Sequence, residues 1–207
     1  MCKTASVCVG LGLALALSSG LAAQQAAATQ SPAQVHLAHV NTKFVGVKTG
    51  GLLQAAQAEA QVVAQHAALG LQASDLAGMK THAGHIIHAI DPRRVTTGPG
   101  TGYGLLTASE GLVRHLELAS RAQGANDQLK TAATTAIAAA KNTQRRADRI
   151  LGIAIIINDF VETPADAQEL FRDLKTLADQ LAAGAGSEGG LQVVQQNVGQ
   201  MTQAARN

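Results

Sequence analysis

Seven histidines, at positions 36, 39, 66, 82, 85, 88 and 115, all precede residue 116 of a 207-residue chain, and none follows. Imidazole is a base near neutrality and a ligand for borderline transition metals. The densest group is His82, His85 and His88 in THAGHIIHAIDP. At ~100° per residue, successive members stand about 60° apart around a helix and the outer two about 120° apart. They form a slanting ridge. Two neighbours at i, i+3 can share an ion, but three equivalent ligands need help from other helices. The zinc-protease arrangement, two histidines at i and i+4 with a glutamate between them, is absent. The expected metal set is therefore His66, His82, His85 and His115. His88, the His36/His39 pair, Glu59, Glu110 and Met79 are secondary candidates.

Imidazole without thiolate suits copper, zinc, iron or nickel and does not choose among them. A rival use is pH sensing or self-association, because histidine changes charge near pH 6–7. Haem held non-covalently by two histidines is a third use, disfavoured by the shortage of aromatic residues for a porphyrin pocket: one Tyr, three Phe and no Trp. No nucleophile or acid/base set accompanies the histidines, so no enzyme activity is expected.

Positioning these side chains falls to helices. Alanine is abundant, Gly and Pro gather in clusters, and no alternating Val/Ile/Thr run appears. Helices are expected near 33–44, 52–71, 74–90, 105–122, 126–160, 164–183 and 191–205. Asp91-Pro92 stops the third, and Thr163 is the expected cap before Pro164. The fold class is all-α: an antiparallel multi-helix bundle of four or more main helices plus short ones. The run ILGIAIII at 150–157 is apolar all round, which predicts its most buried turns.

Two segments read as copies of one unit. HLAHV (36–40) matches HAGHI (82–86), and each leads through a glycine loop to a Gly-Leu-Leu helix start, GGLL at 50–53 and YGLL at 103–106. Each of those helices then carries one histidine, His66 or His115. A weaker echo over 129–140 has alanine or threonine where the ridge has histidine. The expected layout is a signal peptide at 1–25, cleaved within about 22–28, then a linker at 26–32. A single domain follows at 33–205, with a histidine-bearing half (33–123) and a histidine-free half (126–205).

The leader implies a periplasmic or secreted protein: Lys3 precedes an apolar stretch from Val7 to Leu17, and small residues follow. Both cysteines, Cys2 and Cys8, lie within it. The processed chain then has no disulfide, no thiolate site and no covalently attached c-type haem. Once the leader is removed, no stable membrane insertion is expected. Sixteen basic residues against fourteen acidic ones leave a nearly neutral surface. With so few stacking rings, nucleic acid is excluded as a partner. A metal ion is the expected partner, and a homo-oligomer remains open.

Other features are weaker. The loop GPGTGYG (98–104) lacks the Gly-Lys-Ser/Thr of a phosphate loop. Its amides could meet an anion at the helix start near Leu105, or it could simply be a crossover. Arg145, Arg146 and Arg149 read as a solvated helix face.

Overall fold

The computed structural model describes residues 30–48 and 50–206. The expected signal peptide and most of the linker lie outside the described residues. Among the described residues, seven helices make up an all-α bundle: α1 (Pro32–Asn41), α2 (Leu52–Gln72), α3 (Leu76–Ile90), α4 (Leu105–Ser120), α5 (Asp127–Asp159), α6 (Pro164–Ala183) and α7 (Leu191–Ala204). Local chemistry sets most of the starts. Ser31 and Gln34 form a reciprocal capping box at α1. Asp75, Asn126 and Thr163 each accept a backbone N–H from the first turn of α3, α5 and α6. Such caps satisfy amides that have no partner within the helix.

Glycine opens α2, α4 and α7 for a different reason. At Gly51 a side chain would collide with the carbonyl of Val40, where the end of α1 lies on the start of α2. At Gly104 the backbone has φ +87°, a conformation that favours glycine.

The 33-residue α5 is the spine and packs against α3, α4, α6 and α7. Its inward stripe is largely alanine: Ala132, Ala133, Ala136, Ala139, Ala140, Ala147 and Ala154 are buried. Small side chains let neighbouring helices approach closely, and leucine, isoleucine and valine from those helices fill the gaps. The one fully buried ring, Phe171 on α6, occupies the space left by Gly70 on α2.

Two sequence expectations change here. The 150–157 run is not buried all round: Ile150, Ala154 and Ile157 are buried, whereas Ile156 is 45% exposed. Helical periodicity turns one flank of α5 outward whatever the composition. Arg146 is not on a solvated face either. It is buried, and it reaches the carboxylate of Glu188 at 2.9 Å and the carbonyl of Gly189 at 3.2 Å. The Gly-rich segment after α6 folds into a tight antiparallel pair, β1 (Gly184–Ala185) with β2 (Glu188–Gly189). Arg146 fastens that turn to the spine.

Candidate metal centres

The histidines converge, but on two centres instead of one. On α2 and α3, His66 Nδ1 lies 3.0 Å from His82 Nδ1 and 3.3 Å from His85 Nδ1. On α1 and α4, His115 Nδ1 lies 3.2 Å from His36 Nδ1 and 3.4 Å from His39 Nδ1. In each cluster the three ligand nitrogens fall within 4.8 Å of one another. The construction is the same both times: an i, i+3 pair on one helix and a single histidine on a neighbour. The pair supplies adjacent rungs of one ridge, and the packed partner supplies the third direction that a lone helix lacks.

The chemistry of these contacts is unusual for a hydrogen-bonded cluster. A neutral imidazole offers one N–H and one lone pair, and Nδ1 can be only one of them. The central Nδ1 of each cluster faces two others, so a single proton can satisfy one contact and leaves the second poor. A cation satisfies all three lone pairs together. Nitrogens ~2.0–2.1 Å from a tetrahedral ion stand about 3.3 Å apart, and the four separations to the central nitrogens, 3.0–3.4 Å, bracket that value.

The protonation state favours the same use. Burial, reinforced by His85 and His82, lowers the pKa of His66 to about 4. Burial, reinforced by His39, His36 and Arg114, does the same to His115. His36 and His82 are also lowered, each by burial first and then by the pair mate, His39 and His85 respectively. Four of the six imidazoles are thus held toward the neutral form that binds metal.

The single four-histidine centre read from sequence is corrected by this geometry. His66, His82 and His85 do meet, but His115 faces the His36/His39 pair, which the sequence placed only among secondary ligands. His88 belongs to neither cluster: it is buried, and its Nδ1 donates to the carbonyl of Val95 at 2.7 Å. At about 120° from His82 it has turned past the edge facing α2 and toward the loop after α3. Met79 is a core residue on the same helix. Glu110 is exposed on α4.

Glu59 is also outside both clusters. It is fully buried, and its Oε1 accepts from Thr101 Oγ1 at 2.6 Å and from the backbone N–H groups of Thr101, Tyr103 and Gly104 at 3.2–3.3 Å. The acceptor for the amides before Leu105 comes from the chain itself. The sequence held both halves of this contact, a lone glutamate in an apolar helix and an amide-rich loop, without the long-range link that joins them.

Phe44 was not singled out from sequence. Its ring stands edge-on to His39 and His115, with centroids 5.4 Å and 5.2 Å away. Among the described residues no helix is long and apolar enough to cross a membrane. The chain matches no family model, no curated protein and no solved structure.

Proposed function

We propose that this chain is an extracytoplasmic, non-enzymatic metal-binding bundle that takes one transition-metal ion at each histidine cluster. The observation that carries this is that in each cluster a central Nδ1, of His66 or His115, lies 3.0–3.4 Å from two other Nδ1 atoms, with one ligand nitrogen of each of the three within 4.8 Å of the others. Three neutral nitrogen donors and no thiolate or carboxylate favour zinc or copper, with copper(II) the tighter by the usual order of affinities. The leader-like N-terminus supports a location outside the cytoplasm. The repeated construction of the two clusters supports a duplicated histidine-helix unit. In that unit the pair of each copy is completed by the single histidine of the other.

The rival readings lose ground to particular observations. A pH sensor near pH 6–7 needs imidazoles that titrate there, yet His66 and His115 are pushed to about 4. Two axial imidazoles must stand on opposite faces of a porphyrin, whereas the central nitrogens of each cluster touch their neighbours directly at 3.0–3.4 Å.

Elemental analysis of protein from its native compartment tests the proposal. Two ions per chain are expected, one after either His66→Ala or His115→Ala, and none after both. Metal content unchanged by the double substitution would refute it. His88→Ala should keep both ions.

A further inference from the structure

Glu59 is the buried ionisable group that the two clusters leave unexplained. Its Oε1 collects four donors from residues 101–104, while its Oε2 is buried with no hydrogen-bond partner. Those residues lead into α4, with Gly104 as its N-cap. A carboxylate at that place also meets the positive end of the α4 dipole. The side chain therefore seats the start of the helix that carries His115. On α2, Glu59 precedes His66 by seven residues, about 20° short of two full turns, so both side chains leave the same face. Toward α3 that face holds one histidine cluster. Toward the crossover loop it holds the root of the helix that completes the other.

Further contacts tie the same loop down. His88 Nδ1 donates to Val95, and the carboxylate of Asp91 receives Arg93 Nε at 2.8 Å. Tyr103 lies close to Gly46, in the segment that follows α1. The 91–104 crossover is thus a pinned connection between the helix of His82 and His85 and the helix of His115. Its densest attachment to the rest of the bundle is the Glu59 carboxyl group, where four donors from residues 101–104 meet on one oxygen.

We infer that Glu59 couples the two metal centres: by fastening the α4 start to the helix of His66, it makes filling of either cluster favour filling of the other. This rests on the two-ion reading above. An ion at His66, His82 and His85 ties the α3 end of the crossover to α2, the same helix from which Glu59 holds the α4 end. The second ion then meets an α4 that is already ordered and loses less conformational entropy on binding. Linkage requires the effect to be reciprocal. Glu59 acts as a positioning residue and touches neither ion.

Calorimetric titration of the metal-stripped full chain with Zn2+ tests this, using wild type, His82→Ala/His85→Ala, His36→Ala/His39→Ala, Glu59→Gln and Thr101→Val. Wild type should take two ions with positive cooperativity. Each histidine double variant should bind one ion at least about fivefold more weakly than that site binds in wild type when its neighbour is filled. Glu59→Gln keeps the shape but puts an N–H donor group where one carboxyl oxygen stands among four donors, so its two ions should bind independently. Thr101→Val, which removes only the 2.6 Å hydroxyl donor, should lower the cooperativity by a smaller factor. Two independent ions in wild type, with each remaining site unchanged in the double variants, would overturn the coupling and leave the two-ion reading intact. Cooperativity that survives in both Glu59→Gln and Thr101→Val would overturn the assignment to Glu59. No zinc bound by wild type would remove both.

Discussion

The two histidine clusters have the same donors and similar contact distances, 3.0 and 3.3 Å against 3.2 and 3.4 Å, but different foundations. The α2/α3 cluster sits on consecutive helices joined by the three residues 73–75, and its members are 16 and 19 residues apart in sequence. The α1/α4 cluster joins histidines 76 and 79 residues apart, and two of them ride on a ten-residue helix. A helix that short is marginal by itself and depends on packing, here through Ala33, Leu37 and Val40. One centre is therefore built into a helical hairpin. The other exists only once the bundle has closed around α1. Identical chemistry on unequal scaffolds should produce unequal order, and the difference can be broken or sharpened by substitution.

The largest effect is expected from the support beneath the α2/α3 cluster. Phe171 fills the notch at Gly70, one turn beyond His66 on α2. Phe171→Ala should cost about 3–5 kcal/mol of unfolding free energy, measured by urea denaturation without metal. It should also weaken zinc at the α2/α3 site, whose helices both pack on α6, more than at α1/α4. Equal loss at both sites would mean that the two foundations are not separate.

Next in size is the response of α1 to metal. Amide exchange in α1 should slow about tenfold or more on zinc loading, equivalent to roughly 1.4 kcal/mol of added local stability. The central turns of α2 and α3 should change much less, because the hairpin is already ordered. Matching protection in all three helices would erase the proposed contrast.

The same contrast explains what the sequence could reveal. Helix positions were legible because caps such as Asp75 and Thr163, and stops such as Asp91-Pro92, are local signals. The meeting of His66 with His82 and His85 was legible too, since a short connection forces α2 and α3 to pack side by side. The partner of His115 was not. Spacing fixes the facing of a side chain on its own helix, but which helix arrives opposite depends on closure of the whole bundle. Arg146 shows the same limit: its charge pattern reads as solvated, and only the return of the 184–189 turn buries it. Glu59 is a third case, its role determined by a loop more than forty residues away.

Acid should act on both clusters alike, and this sharpens the view that their chemistry matches. His66 and His115 ionise near 4 in the folded protein and near 6.5 when unfolded. Between those values the unfolded chain binds more protons, so stability is fully present above about 6.5 and falls as pH drops toward 4. The lowered pKa values of His36 and His82 add in the same direction. With metal chelated, the urea midpoint should be lower at pH 5 than at pH 7. His66→Gln and His115→Gln should each flatten that dependence by a similar amount. A flat wild-type profile would contradict the burial that depresses these groups.

The smallest expected effect concerns the one aromatic contact that distinguishes the centres. Phe44 stands edge-on to His39 and His115, and no phenylalanine or tyrosine ring accompanies the α2/α3 cluster among the described aromatic contacts. An edge-on pair contributes about 0.5–1.5 kcal/mol beyond burial. Here it holds two imidazoles from different helices in the orientation that turns their Nδ1 atoms together. Phe44→Leu preserves most of the apolar volume and removes the ring. Zinc affinity at the α1/α4 site should then fall by roughly two- to tenfold, with α2/α3 unchanged in a His36→Ala/His39→Ala background. The ring compensates for a short, sequence-distant helix where the hairpin cluster has covalent proximity instead. Unchanged α1/α4 affinity would leave α1 packing alone to orient the pair, and the two centres would differ in backbone but not in how their ligands are held.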